Sequence, residues 1–336
     1  MGDRDVVARL QGLLGENQCK TAFQGDVCTA LSLHDPSFPF GGVIRHASEQ
    51  QKKDILALVS RLTSLRILDL RKNMLGELPA AMQALESLES LNLGSNRLSK
   101  VPEMIYRNQR LEALFLGSNE IQELDERLFL LRRLRSLHLH KLQLRSLPAG
   151  LSELKKLQVL HLYLSGLKNF PDELWSCTEL ETLSYGFAPT REVPEDIGRL
   201  SKLEYLTIIL TKVRRLPDAF CSLHRLRAAR LYKNRLESLP EAIGALTRLE
   251  QVSLYDNALT HLPGSSVYLS ALQKINVARN PITSMPDGLY RLPALRWVAS
   301  FDSPLQLPDP RPEGVEFVTC RPHGEFGAVT APHIPD

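Results

Sequence analysis

Three histidines are the residues of this sequence whose type and spacing suit metal chemistry. His138 and His140 are separated by one residue, so on a strand both would point to the same face, and His161 follows His138 by 23 residues. An HxH pair with a third histidine on the adjacent strand is compatible with a zinc site. No fourth ligand is identifiable, so we predict no metal and keep these histidines as an alternative zinc set. Imidazoles beside basic residues would also change charge near neutral pH.

Other patterns that mark catalytic sites do not occur in the sequence. The chain has no GxxxxGK[ST] phosphate loop, no HExxH pair and no GxSxG turn. Cys177 stands where the repeat described below mostly has leucine, which predicts a buried thiol and not a nucleophile. The sequence therefore predicts a protein that is not an enzyme and that uses no cofactor.

Composition restricts the cellular compartments and the classes of partner that we expect. The chain is 43% hydrophobic with a formal net charge of +3, so no overall charge attracts it to nucleic acid or a membrane. No apolar run is long enough to span a bilayer, and the N-terminus has no secretory hydrophobic segment. The cysteines form no CxxC pair, which favours a reducing compartment. We expect a cytoplasmic protein, with secretion by a signal-independent route as the alternative.

A repeat of 23 residues positions all of these side chains. Each unit follows the pattern LxxLxLxxNxLxxLP, as in LRILDLRKNMLGELP from Leu65 and LESLNLGSNRLSKVP from Leu88. The opening leucine, position 1, recurs eleven times without insertion or deletion, the last time at Leu295. The pattern resembles leucine-rich repeats of the 23-residue Leu-Pro type, which are found in Ras-binding, plant intracellular and bacterial proteins. The resemblance covers about residues 65 to 309.

The resemblance and the residue pattern imply the same fold. Alternation over LxL predicts a short strand, with positions 4 and 6 facing the core and positions 5 and 7 facing away from it. The second half of each unit, as in PAAMQALESL, has helix-like spacing. We therefore expect an α/β repeat solenoid, a horseshoe with a parallel sheet on its concave face and short helices or turns on its convex face. Residues 65–309 would form the eleven repeats.

Both ends are predicted to be caps. In residues 1–64 we expect a helical cap that contains a helix within residues 4 to 14 and an atypical strand in CTALSLHD. Ser48 and Gln51 have the spacing of a capping box that opens a second helix. In residues 310–336 we expect a closing strand in GVEFVTC and then a loose tail.

Three columns of the repeat change in the same window. Position 9 is asparagine in repeats 1 to 3 and 8 to 10, and in the related family this side chain bonds buried backbone groups. In repeats 4 to 7 position 9 is instead Leu142, Ser165, Ala188 and Thr211. Position 8 is apolar in repeats 5 to 7, at Leu164, Phe187 and Leu210. Position 12 forms a basic row in repeats 4 to 7, at Arg145, Lys168, Arg191 and Arg214.

This coincidence predicts a binding surface, against the alternative that the asparagines were lost by drift. The apolar residues of position 8 would be its anchors, either exposed or buried by a refolded turn. Around them, positions 5 and 7 would supply Phe115, His138, His140, His161, Tyr163, Ile209, Arg230, Tyr232 and Tyr255. The basic row would steer an acidic segment of the partner.

The predicted function is non-catalytic recognition of another protein, as a scaffold, through the concave face of repeats 4 to 7. The alternative is a homodimer that pairs through the same apolar row. Nucleic-acid binding along the basic row is a third reading, and it predicts a steep loss of affinity with salt.

Overall fold

The computed structural model describes residues 2–14, 19–34 and 42–320. Two compact units meet in sequence between Leu167 and Lys168, and each is described separately below. The loose tail predicted after the closing strand lies outside the described residues.

The strands are short because only the LxL core of each repeat alternates. Leu137 and Leu139, at positions 4 and 6 of repeat 4, are both fully buried on one side of their strand. The strands of the first unit are β1 Lys20–Gln24, β2 Val27–Ser32, β3 Ile67–Asp69, β4 Ser90–Asn92, β5 Ala113–Phe115, β6 Ser136–His138 and β7 Val159–Tyr163. Those of the second unit are β8 Thr182–Gly186, β9 Tyr205–Ile209, β10 Ala228–Arg230, β11 Gln251–Ser253, β12 Lys274–Asn276, β13 Trp297–Ala299 and β14 Glu316–Val318.

Strand pairing follows the period of the repeat. Strands β3 to β13 come from the eleven repeats, and within each unit they pair in parallel with their sequence neighbours. Equivalent residues stand side by side, such as Leu91 beside Leu114 and Leu114 beside Leu137. The predicted repeat solenoid with a parallel sheet is confirmed in both units. We call the side of each sheet that carries positions 5 and 7 its open face.

The helix-like half of each repeat forms one tight turn, in most repeats a 3₁₀ helix. The segment between the Leu-Pro pair and the next strand is short, and i to i+3 bonds such as Met82 N–H to Pro79 O (2.9 Å) close it. Only α3, Glu103–Arg107, is α-helical among these described turns. The 3₁₀ helices are Ala80–Ala84, Glu126–Leu130 and Ala149–Glu153 in the first unit, and Asp172–Ser176, Glu195–Arg199, Asp218–Ser222, Ile243–Ala245, Gly264–Tyr268 and Asp287–Arg291 in the second.

The N-terminal helices are α1, Asp3–Leu14, and α2, Glu49–Val59. The predicted capping box is present, since Ser48 Oγ accepts from Gln51 N–H and Gln51 Oε1 accepts from Ser48 N–H. Strand β2 matches the expected atypical strand, but its antiparallel partner β1 was not predicted. The expected closing strand is β14, which pairs in parallel with β13.

Among the described residues, no helix combines the length and the apolar character needed to cross a membrane.

Candidate protein-recognition surface

The turn after each strand has a left-handed backbone at position 8. All eleven residues in this column have φ between 52° and 61°, whatever their side chain. In most repeats the N–H of position 8 donates to the position-7 carbonyl of the next repeat, as from Lys233 to Tyr255 at 2.8 Å. The repeat therefore imposes this conformation, which disfavours every residue type except glycine, asparagine and aspartate.

Bulky apolar side chains occupy this turn where the sequence predicted anchors. In the first unit Leu164 is 37% exposed. In the second unit Phe187 is 45% exposed, and Leu210 is half-buried. Between the two readings that the sequence left open, the turns expose their apolar side chains. We call these three residues the turn row, and each combines apolar exposure with a left-handed backbone that costs roughly 1–2 kcal/mol.

The asparagine turns show what the other repeats gain at position 9. The buried Asn280 side chain donates from Nδ2 to the carbonyls of Leu254 (2.9 Å) and Val277 (3.0 Å). Its Oδ1 accepts from the N–H of Leu259 at 3.0 Å. One amide thus satisfies three buried backbone groups in two adjacent repeats.

In the first unit, backbone atoms replace this amide in the turn of repeat 5. The N–H of Leu144 donates to the main-chain carbonyl of Ser165 at 2.7 Å, where other repeats offer an asparagine Oδ1. The chain reaches this position through Gly166, whose φ is +93° and where an added Cβ would meet the backbone of Leu144. The lost asparagine is therefore compensated and the turn is not a folding defect.

In the second unit the departures are compensated in two other ways. Thr211 relays the contact, because its Oγ1 accepts from Val213 N–H (3.3 Å) and donates to Asn234 Oδ1 (2.7 Å). Around Ala188, strands β8 and β9 pair over five residues each, whereas β10 and β11 pair over three. Phe187 and Leu210, which directly precede these two replacements, keep the left-handed backbone of their column.

Rings stack along the open face of the first unit. The centroid of His138 lies 4.2 Å from that of Phe115 and 4.5 Å from that of His161. His140 stacks on Tyr163 at 4.9 Å with an interplanar angle of 8°. Strand spacing produces this arrangement, because equivalent side chains on paired strands are about 4.8 Å apart. His138 is 5% and His161 1% exposed, so this ring stack offers a partner little of either imidazole.

Burial keeps the two inner histidines neutral. It lowers the pKa of His161 to about 4, and with the neighbouring His161 and His140 it lowers the pKa of His138 to about 2. The sequence expectation of titration near neutral pH does not hold for these two rings. Within the described residues, no three His, Cys, Asp or Glu side chains are arranged to hold a metal ion, so the alternative zinc set lacks the geometry it requires.

The open face of the second unit is also partly filled. Ile209 is only 8% exposed because it covers Gly186, where an added Cβ would meet it. Arg230 and Tyr232 are half-buried, and burial lowers the pKa of Arg230 and raises that of Tyr232. Tyr255 accepts a hydrogen bond from Arg279 at 3.1 Å and packs against the ring of Phe301. Ile209 and Tyr255 therefore have structural contacts of their own.

The basic row is exposed in both units. Arg145 in the first unit lies 3.4 Å from Glu123, an exposed pair that contributes little to stability. In the second unit Arg214 lies 3.3 Å from Glu237, and Arg191 lines the same surface groove as Arg214. Lys168 stands at the sequence start of the second unit.

A departure in the core of repeat 6 was missed by sequence reasoning. Tyr185 replaces the position-6 leucine and is fully buried, stacked on Phe170 at 4.0 Å. Burial raises the pKa of its hydroxyl, and Thr190, which replaces the position-11 leucine of the same repeat, partly offsets that rise. Both exchanges were visible as polar residues in leucine columns. Cys177 is fully buried, as predicted for a core thiol.

The repeat and its packing now identify the fold family. A sequence profile described as Leucine Rich Repeat matches residues 87–108. The chain contains leucine-rich repeats and shares their fold. Among curated proteins, none matches the sequence at a significant level.

Solved structures extend this likeness over most of the chain. The LRR protein LIC12759 of Leptospira interrogans is 26% identical, with a TM-score of 0.66 over 79% of this chain and 74% of that one. The structure titled PEPR1-AtPEP1 is 25% identical, with a TM-score of 0.67 over 79% of this chain and 39% of that one. The functional domain of InlJ from Listeria monocytogenes, at 18% identity and a TM-score of 0.63, shares the fold over 73% of this chain and 51% of its own.

Leucine-rich repeats are typically modules for protein–protein interaction, because stacked repeats create an extended surface that a partner can contact. Among the predicted site residues of repeats 4 to 7, the basic row, Leu164 and Phe187 are exposed, and Leu210 is half-buried. The buried ring stack belongs to the framework of the first unit.

Proposed function

We propose that this leucine-rich-repeat protein is a non-catalytic recognition module that binds a partner protein in the region of repeats 4 to 7. On the second unit, Phe187 and Leu210 would be the anchors. Leu164 of the first unit is proposed as a separate apolar contact. The observation that carries the proposal is the turn row itself, where bulky apolar residues are exposed in a left-handed conformation.

Other repeats place residues in this turn that cost less free energy there, which supports a role of the turn row in binding. Other repeats have the polar residues Ser95, Ser118 or Asp256 there, and aspartate also tolerates a left-handed backbone. Stability gives no reason to choose phenylalanine or leucine at an exposed left-handed position. Apolar and aromatic anchors of this kind contribute much of the binding energy at protein interfaces. The half-buried Tyr232 and Arg230 would add polar contacts from the open face of the same unit.

The second candidate is a homodimer, because an exposed apolar row also fits a second copy of this chain. Sedimentation at several protein concentrations separates the two candidates. A mass that stays monomeric removes the dimer, whereas a concentration-dependent dimer that the turn-row substitutions abolish would replace partner recognition as the leading function.

The test of recognition uses a variant designed to keep the fold. The variant is Phe187→Asn/Leu210→Asn, because asparagine tolerates the left-handed backbone of this turn. The matched control is Lys233→Asn/Asp256→Asn, the same column in the next two repeats. A partner captured from native lysate by the wild-type chain is purified, and its Kd is measured with all three proteins. We expect the turn-row variant to raise Kd about 100-fold and the control to change it less than about threefold. Equal affinity for all three would refute this site.

We also propose that the protein works in a reducing, cytoplasmic compartment. None of the five cysteines, all of which lie in the described residues, forms a disulfide, and four of them are buried. Fractionation of native cells checks this: recovery of the chain with a secreted or membrane marker would contradict it.

A further inference from the structure

A surface groove in the second unit combines several unpaired cations. It has a volume of about 740 Å³ and is lined by residues that follow the left-handed turns of repeats 6 to 8. Its walls are held by the main-chain ladder, in which Lys212 N–H donates to Thr190 O (2.8 Å) and Arg235 N–H to Val213 O (3.0 Å). The basic side chains that line it are Arg191, Lys212, Arg214, Arg215 and Arg235.

Most of this positive charge is not neutralised within the protein. Arg214 forms an exposed pair with Glu237, and Glu195 already accepts from the N–H of Ala219 at 3.1 Å. Arg191, Lys212, Arg215 and Arg235 are exposed and form no ion pair with any described residue. Like charges repeated at the spacing of the solenoid repel each other, and a bound anion would relieve that repulsion.

The fold does not require this charge. The groove's cations come from positions 10, 12 and 13 of repeats 6 to 8, which hold five basic and two acidic residues. The same columns of repeats 9 to 11 in the same unit hold no Lys, Arg, Asp or Glu, with Thr260, Thr283 and Gln306 at position 12. Repeats 9 and 10, which are neutral in these columns, form the same succession of strand, left-handed turn and 3₁₀ helix as repeats 6 to 8, so the basic residues serve something other than the turn.

We propose that this groove binds an acidic peptide segment, with the partner's carboxylates meeting the unpaired guanidinium and ammonium groups. The groove also contains Glu192, Glu195 and Glu237, which would repel a continuous phosphate backbone but leave room for separate carboxylates. No aromatic side chain lines it for base stacking. The half-buried Pro194 and Pro217 would supply apolar surface for the aliphatic parts of a peptide. These features favour a peptide over a nucleic acid.

This inference rests on the proposed recognition function, since Arg191 and Arg214 each follow a turn-row residue by four positions. A partner segment with an apolar anchor near a run of acidic residues would contact both surfaces. The groove adds three cations that the basic row did not include, Lys212, Arg215 and Arg235, and it leaves out Arg145 and Lys168.

The probe is a fluorescent octaglutamate peptide, titrated with the full chain at low ionic strength. The groove variant is Arg191→Glu/Lys212→Glu/Arg235→Glu. The control is Arg110→Glu/Arg133→Glu/Lys156→Glu, which makes the same change in net charge at exposed residues of the first unit. We expect saturable binding to the wild type, at least about tenfold weaker binding to the groove variant, and less than about twofold change in the control. Equal losses in both variants would reduce the effect to net charge and overturn the site.

Two further titrations distinguish peptide binding in the groove from nucleic-acid binding and from binding at the turn row. An oligothymidylate with the same number of charges should bind more weakly than octaglutamate; tighter binding would make the groove a nucleic-acid site and refute the peptide. The Phe187→Asn/Leu210→Asn chain should bind octaglutamate as the wild type does. If octaglutamate fails to bind any of the proteins, the groove proposal is wrong, while the turn row keeps its own test with the captured partner.

Discussion

The sequence assigns both the ring stack of the first unit and the turn-row residues of the second unit to the predicted binding surface. In the structure, however, their surroundings differ. Phe115, His138 and His161 project from strands, where neighbours at the same register cover them. Phe187 and Leu210 project from left-handed turns, where the backbone carries them away from the sheet. An unusual residue on a repeat thus has different consequences on the strand, where it packs, and on the turn, where it remains available.

If this comparison is right, the ring stack contributes stability and the turn row contributes binding. Substitutions in the stack should then lower the free energy of unfolding with little direct effect on a partner that docks at the second unit. Substitutions in the turn row should do the reverse.

The largest effect is expected from His138→Ala. Removing this ring leaves a cavity between Phe115 and His161, and large-to-small changes at buried sites cost about 2–5 kcal/mol. We expect a loss near the lower end, about 2–3 kcal/mol, measured as a shift of the urea unfolding midpoint. Lys141→Ala, an exposed residue three positions away, is the control and should shift the midpoint by less than about 0.5 kcal/mol. A His138→Ala protein as stable as this control would show that the stack is not structural.

Acid should reduce the stability that the same ring stack contributes. Burial lowers the pKa of His161 to about 4, below the value of about 6.5 in an unfolded chain. Unfolding therefore takes up a proton below pH 6.5, so the stability that depends on neutral His161 is complete above that pH and falls as the pH drops toward 4. Between pH 7 and pH 5 we expect a loss of about 2 kcal/mol from His161.

The variant His161→Asn should remove that part of the pH dependence, and His224→Asn, at an exposed histidine, should leave it in place. Urea unfolding at both pH values measures the difference. Identical pH dependence in wild type and His161→Asn would contradict the assignment of a buried, neutral ring.

The smallest effect concerns the turn row. Leu210→Asn replaces a side chain that disfavours the left-handed backbone with one that tolerates it, so stability should stay constant or rise by up to about 1 kcal/mol. Thermal unfolding of this variant beside the wild type checks the sign. A drop of more than about 1 kcal/mol would mean that Leu210 is needed by the fold, and the contrast with the ring stack would disappear.

The sequence predicted the framework because the framework is periodic. Position-1 leucines such as Leu111 and Leu134 stand at a fixed spacing, and burying them requires stacked repeats whatever fills the other columns. The expected short helices or turns after the Leu-Pro pairs are present, but their 3₁₀ character was not predicted, because apolar spacing at i and i+3 does not distinguish one 3₁₀ turn from an α-helix. Strand β1 was missed because KTAFQ has no leucine repeat to mark it.

The candidate site was only partly predictable. The apolar residues of position 8 were visible, but the left-handed backbone was not, because Lys72, Leu164 and Arg279 have no shared preference that signals it. Burial of His138 followed from the rings at the same register on both neighbouring strands, a consequence of strand spacing that the sequence reading did not draw. The groove required the three-dimensional spacing of positions 10 to 13, since the sequence showed only the position-12 part of it.

Hydroxyl-radical footprinting of the full chain, alone and with the captured partner, measures directly whether the partner covers the turn row. Phe187 and Tyr268 are both exposed, oxidisable aromatic residues of the second unit, so Tyr268 serves as an internal control. We predict that the partner protects Phe187 and Leu210 from oxidation and leaves Tyr268 unchanged. Protection of Tyr268 with Phe187 still oxidised at the free rate would contradict the assignment of the turn row as the recognition surface.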